Sequence, residues 1–216
     1  MPEEEGPDGY ISPARLQAFS DGVIAIATTL LIIEVKAPSA GEPVWQALRD
    51  EWPALAAYLV TFLIIGTAWI HHHNLFHQVR RVDRTLLFLN LGMLATISFL
   101  PLPTATLGNH LLGQDAGAAA LFYAVSMALT SAWFTLLWHH LCRRPALLHP
   151  RAQAIAAGRR RQSLVGPVGY AVAALVAPVS AIGSLAVAAA LVVYFIAGRR
   201  APTARTQLEG QEQVTD

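Results

Sequence analysis

Long apolar runs broken by short polar stretches set the pattern of this chain. An α-helix needs about 20 apolar residues to cross the hydrocarbon core of a bilayer. Stretches at about 14–36, 53–75, 84–106, 116–141, 163–179 and 181–198 are read as spans on that criterion. Pro13 suits a helix's first turn, where a missing N–H leaves nothing unpaired. Lys36, Pro38 and Gly41 end the first span, Pro53 opens the second, and Pro101 and Pro103 kink or end the third. The fifth carries Pro167 and Pro178, and a tight turn leads from it into the sixth. The pattern predicts an all-α membrane protein with six transmembrane helices per subunit. An acidic tail at 1–12 precedes a transmembrane domain at 13–200, and a polar tail at 201–216 follows it.

The first span is the most informative. It reads R-L-Q-A-F-S-D-G-V-I-A-I-A-T-T-L-L-I-I-E from Arg15 to Glu34. Polar and charged side chains inside a spanning helix are costly and are functional candidates by default. At about 100° per residue, Gly22, Ile26, Thr29 and Ile33 share one stripe, and Asp21 lies well over 90° round from Ile26. One straight helix therefore cannot aim Asp21 and Ile26 at the same partner. The stripe of Ile26, Thr29 and Ile33 faces one environment, such as a pore axis, while Ser20 and Asp21 face other helices of the same subunit. The competing reading is a packed helix with one buried structural aspartate.

Composition narrows the class. The chain has 216 residues, 54% hydrophobic and 13% charged, with a mean hydropathy of +0.44. Nearly all of it is membrane or short loop, which leaves no room for a separate soluble catalytic domain. The start M-P-E-E-E-G-P-D-G-Y lacks the basic region of a signal peptide. The single Cys142 excludes an intrachain disulfide framework. A net charge of +1 gives no reason to expect nucleic acid.

Arginine placement fixes the expected topology. With a cytoplasmic N-terminus, six spans put Arg15, Arg80, Arg81, Arg84, Arg143, Arg144, Arg151, Arg159, Arg160, Arg161, Arg199, Arg200 and Arg205 inside. Lys36 and Arg49 fall outside, a strong positive-inside bias. It predicts both termini in the cytoplasm and basic loops after the second and fourth spans. Trp45, Trp52, Trp133 and Trp138 fall near predicted interfaces, where aromatic belts are expected.

Several groups carry candidate chemistry. Arg15, Phe19, Ser20 and Asp21 cluster at the cytoplasmic end of the first helix. A carboxylate at that depth needs a hydrogen-bond donor or a cation. Candidate donors are His71, His72, His73 and Trp69 on the second helix and Asn90 on the third. Such a network either holds the first helix in place or relays protons. His73 and His77 share a face at i, i+4, but no H-E-x-x-H and no neighbouring Cys or carboxylate completes a metal site, and no metal or cofactor is expected. Glu34 either draws cations to an outer vestibule, pairs with Lys36 or reaches water. Thr28 and Thr29 either return their hydroxyls to the backbone or, for Thr29 on a pore-facing stripe, replace part of an ion's hydration shell. Ile26 and Ile33 would then be apolar constrictions of the kind that gate by dewetting. No nucleophile elbow, phosphate loop or catalytic carboxylate pair appears, so an enzyme is not expected.

The string R-x-x-x-F-S-D from Arg15 to Asp21, the helix that follows it, and W-I-H-H-H-N-L-F from Trp69 resemble the signature helices of the transmembrane protein 175 family. That family consists of potassium-permeable channels without a T-V-G-Y-G filter, a string also absent here. Animal members carry two six-helix repeats, and this chain has one, as do prokaryotic members. The resemblance implies a homotetramer in which four first helices line the pore. It places the apolar constriction on Ile26 and Ile33 and a threonine layer on Thr29. It gives Arg15, Phe19, Ser20 and Asp21 a packing role near the cytoplasmic entrance. Ala25 stands where two-repeat members can carry a serine, a departure that weakens the case for strong potassium selectivity.

These readings lead to a weakly selective potassium channel in the cell membrane. Its expected partners are lipid, permeating potassium ions and copies of itself. The rivals are a proton-conducting channel or proton-coupled transporter that uses Asp21 and the membrane histidines, and a scaffold that transports nothing.

Overall fold

The computed structural model describes residues 12–197. The acidic tail, apart from Ser12, lies outside the described residues, as do Arg199, Arg200, Arg205 and the polar tail at 201–216. Among the described residues the architecture is all-helical. The elements are α1 (Pro13–Leu30), α2 (Val44–Asp50), α3 (Trp52–Phe76), α4 (Arg84–Phe99), α5 (Pro101–His110), α6 (Ala116–Arg143), α7 (Pro150–Ser163), α8 (Val165–Val176) and α9 (Ala181–Ala197).

Helix α1 begins where its sequence says it must. Ser12 is the N-cap, its Oγ accepting from the Arg15 amide at 3.3 Å, and Pro13 occupies the first turn. The α-helix stops at Leu30, and Leu31–Glu34 continue as a 3₁₀ turn. The expected single helix to residue 36 is therefore α-helical over only part of its length. At 3.0 residues per turn, that tightening swings Ile33 by roughly 60° from an ideal α-helical register.

Among the described residues four segments are long and apolar enough to cross a membrane: Pro13–Glu34, Trp52–Phe76, Arg84–His110 and Ala116–Arg143. The third is bent. A proline ring cannot donate to the preceding turn, and α4 gives way to α5 at Leu100 and Pro101. The expected fifth and sixth spans correspond to α8 and α9. With 12 and 17 residues these helices are shorter than the other four.

Helix α6 forms the spine of the bundle and packs against α4, α5, α7, α8 and α9, while α1 lies on α3 and α4. Leu86, Ile97, Leu107, Tyr123 and Leu137 are fully buried at these contacts. Two glycines permit close approach. A Cβ on Gly92 would overlap the Trp133 ring, and one on Gly108 would lie 2.8 Å from Ala54 Cα. A buried hydroxyl cluster joins α3, α5 and α6. Thr61 Oγ1 donates to the Ala57 carbonyl at 2.8 Å and stands 2.9 Å from the Tyr123 hydroxyl and 3.1 Å from Thr104 Oγ1.

The connections differ from expectation in two places. The basic stretch after α6 is not a loop. Residues Pro150–Ser163 form α7, which carries Arg151, Arg159, Arg160 and Arg161. The two basic connections also dock on each other. Val79 and Leu148 form an isolated antiparallel bridge, the Arg80 amide donates to Leu147 O at 2.7 Å, and the His149 amide donates to Gln78 O at 3.0 Å. Asp83 caps α4 through the Leu86 amide at 2.8 Å and accepts from His140 Nε2 at 2.9 Å. Trp138 is a further correction. It is buried in the core and not at a lipid-facing belt, whereas Trp45 and Trp52 are exposed.

Candidate functional site

Helix α1 has two opposed faces. Leu16, Ser20, Ile24 and Ala27 are buried, with Leu31 continuing their line into the 3₁₀ turn. Their spacing of four and three residues marks one helical stripe. That stripe seats α1 on α3 and α4. The other face is left uncovered by the rest of the subunit: Phe19 is 55% exposed, Ile26 62% and Ile33 71%, and Gly22 and Thr29 are exposed as well. The sequence-derived stripe of Gly22, Ile26, Thr29 and Ile33 thus lies outward from the bundle, away from Ser20.

Ser20 on the buried face and the half-buried Asp21 beside it meet two neighbouring helices. Trp69 Nε1 on α3 donates to Asp21 Oδ1 at 2.9 Å. This selects the indole from the candidate donors for Asp21. Ser20 starts a separate chain. Its hydroxyl donates to Leu16 O at 2.8 Å, and Asn90 Nδ2 on α4 donates to Ser20 Oγ at 2.9 Å. His72 Nε2 on α3 lies 2.9 Å from Asn90 Oδ1. Because Oδ1 can only accept, His72 donates from Nε2. Ser20, His72 and Asn90 are each 0% exposed. The chain ties three helices together and ends on a backbone carbonyl. His72 Nδ1 is buried without a partner.

His73 belongs to a different pair of contacts. Its Nδ1 stands 2.7 Å from Gln17 Nε2, and its Nε2 stands 3.0 Å from His77 Nε2. Sequence reasoning missed Gln17. It sits four residues before Asp21, so it shares that side of α1, a signal that the spacing did contain. Among the described residues, the Arg15 side chain takes part in neither chain of bonds, and Phe19 projects from the uncovered face. The motif therefore divides: Ser20 and Asp21 are held inward, whereas Arg15 and Phe19 are not. No three His, Cys, Asp or Glu side chains converge among the described residues.

Thr29 Oγ1 donates to Ile26 O at 2.9 Å, and Thr28 Oγ1 donates to Ile24 O at 2.7 Å. The backbone return weighed from the sequence is what both threonines do. For Thr29 this leaves the oxygen on the uncovered face with its proton committed, so it presents lone pairs only. Glu34 forms no ion pair with Lys36 among the described residues. It borders a cavity of about 310 Å³ with Leu30, Ile33, Ser98, Phe99 and Leu102.

Four long apolar segments among the described residues, the first held by polar bonds on one face and left open on the other, define a multi-pass helical membrane protein. Comparison with known proteins gives the same class. The profile of the family described as endosomal/lysosomal potassium channel TMEM175 matches residues 15–101. A potassium channel of Streptomyces collinus is 44% identical over 185 residues, covering 84% of this chain and 90% of that one. The crystal structure of a lysosomal potassium-selective channel TMEM175 homologue from Chamaesiphon minutus superimposes with a TM-score of 0.78. It is 32% identical and covers 88% of this chain and 98% of its own. The endosomal/lysosomal proton channel TMEM175 of Danio rerio is 38% identical over 118 residues, which span 51% of this chain and 22% of that protein. The chain belongs to the TMEM175 family.

Proposed function

We propose that this protein is a potassium-permeable cation channel of the cell membrane, assembled from four copies whose α1 helices line a central pore. The observation that carries the reading is the uncovered stripe of Ile26, Thr29 and Ile33, opposed on the same helix to the tethered Ser20 and Asp21. The names of the Streptomyces and Chamaesiphon relatives support potassium as the permeant ion. Each subunit crosses the membrane six times with both termini in the cytoplasm, α8 and α9 making the last two crossings. The arginines of the docked connections and of α7 then share the cytoplasmic side, as the positive-inside rule requires.

In this reading four Ile26 side chains form the narrowest ring. Passage requires the ring to wet, because an apolar constriction offers an ion nothing in exchange for its hydration shell. Thr29 stands one turn further along with oxygens that can only accept, which suits a cation. A ring with so few oxygen ligands discriminates weakly between potassium and sodium. Glu34 lies toward the outer mouth, where its charge raises the local cation concentration. Ser20, Asp21, Trp69, His72 and Asn90 hold the angle of α1 and with it the width of the ring.

Proton conduction is the second reading, favoured by the name of the Danio relative and by the buried run from His72 through Asn90 to Ser20. That run ends on the Leu16 carbonyl and does not include Asp21, so as a proton path it has no exit. Potassium flux into liposomes carrying wild type or Ile26→Asn separates these readings. The channel reading expects wild-type flux that rises several-fold in the variant. Flux that Ile26→Asn leaves unchanged would remove Ile26 from the constriction. Proton flux without potassium flux would favour the second reading.

A further inference from the structure

A partly enclosed cavity of about 800 Å³ lies within the subunit, walled by α3, α6, α8 and α9 and closed at one end by α7. None of the stripe residues lines it, nor do Ser20, Asp21, Trp69, His72 or Asn90, whereas His71 and His77 do. Its two ends differ in chemistry. Arg159, Gln162, Asn74 and Gln78 stand at the end where α3 finishes and α7 meets α8, whereas Ile64, Met127 and Tyr170 line the interior. Ile64 and Asn74 are ten residues apart on α3, which at about 1.5 Å per residue separates the ends by roughly 15 Å. The cavity is amphiphilic along its length.

Among the described residues the polar end lacks a counter-charge. Between Trp52 and Ala197 the carboxylates are Asp83 and Asp115. Asp83 is engaged by His140, and Asp115 precedes α6 at the opposite end of the bundle from Arg143. No helix walling the cavity contributes an Asp or Glu. Among the described residues Arg159 meets no carboxylate, and two more arginines follow it directly. Gln78 adds a second unmet requirement. Its Nε2 donates to Asn74 O at 3.0 Å, but its Oε1 is buried with no partner. The occupant must therefore bring an anion for Arg159, a donor for Gln78 and an apolar body for the interior.

We propose that this cavity binds an anionic glycerophospholipid whose headgroup carries hydroxyl groups, such as phosphatidylglycerol. Its phosphate meets the Arg159 guanidinium, a headgroup hydroxyl donates to Gln78 Oε1, and one acyl chain lies along Ile64 and Met127. A volume of about 800 Å³ falls within the roughly 300–1,000 Å³ of ordinary small-molecule sites, enough for one chain and part of a headgroup but not for a whole diacyl lipid. The second chain stays in the bilayer. The site depends on membrane immersion alone, so its test does not involve ion flux.

The test is native mass spectrometry of the full chain, exchanged in detergent micelles against phosphatidylglycerol, phosphatidylcholine or soluble glycerol 3-phosphate. The expected result is one retained phosphatidylglycerol per subunit and little phosphatidylcholine. Arg159→Gln lowers retention about tenfold, the scale of one charge-assisted contact. Ala68→Trp, which fills the cavity from α3, abolishes retention, and Arg151→Gln on the far part of α7 leaves it unchanged. Equal retention of both phospholipids, retention that survives both cavity variants, or displacement by glycerol 3-phosphate would each overturn the assignment. Should Ala68→Trp fail to fold, the headgroup comparison and Arg159→Gln decide alone.

Discussion

Asn90 offers the sharpest test of how α1 is held. It is 0% exposed and takes part in two interhelical bonds, accepting from His72 Nε2 at 2.9 Å and donating to Ser20 Oγ at 2.9 Å. Asn90→Leu keeps the volume and removes both. On the Ser20 side the loss is small, since Ser20 keeps its bond to Leu16 O, and interhelical side-chain bonds in membranes average about 0.6 kcal/mol. On the His72 side a buried N–H is left without any acceptor, which costs about 1–3 kcal/mol. The sum is a destabilisation of roughly 2–4 kcal/mol. His72→Phe leaves Asn90 Oδ1 orphaned and costs about 1–3 kcal/mol by the same reasoning. The double variant replaces both partners with apolar groups and leaves neither unmet. It is expected to be more stable than the sum of the single losses by about 1–2 kcal/mol. Unfolding by sodium dodecyl sulfate in mixed micelles measures all four corners of the cycle. Additivity within about 0.5 kcal/mol would refute the bond.

Two further predictions concern stability. Asp83→Ala removes both the cap of α4 and the acceptor for His140, a loss of about 1–2 kcal/mol, whereas Asp83→Asn retains the cap and costs less than half as much; equal losses in micelle unfolding would remove the cap from the account. Gly108→Ala drives a Cβ toward Ala54 Cα and destabilises by about 1–3 kcal/mol. Gly158→Ala, with nothing within 4 Å of the added carbon, gains about 0.5–1 kcal/mol from helix propensity; the same unfolding assay shows whether the two glycines differ in sign.

The readable part of the structure was the part governed by period and by dielectric. The opposition of Ile26 to Ser20 follows from helical geometry, and the placement of Leu16, Ser20 and Ile24 on the buried face agrees with it. That Asp21 needed a donor followed from the cost of a bare carboxylate, but Trp69 and three histidines stood within one turn of one another, and only their packing angles select the indole. The end of α1 at Leu30 carries no proline or glycine to announce it. Helix α7 was legible in principle, since Pro150 suits a first turn and P-R-A-Q-A-I-A-A-G-R-R-R-Q-S is rich in helix formers. Reading arginines as loop markers concealed it. Trp138 was misplaced because position near a span's end does not say which side of the helix faces lipid.

The bonds at α1 also order the assembly of the chain in time. Ser20 and Asn90 are 70 residues apart, and Asp21 and Trp69 are 48 apart. A growing chain that has delivered only its first two spans can pair Asp21 with Trp69, but Ser20 and His72 still lack the asparagine that joins them. Their partner arrives with α4. Helix α1 is thus fully anchored late, and until the third span inserts, its lean within the membrane is set by the Trp69 indole and by the contact of Gln17 with His73.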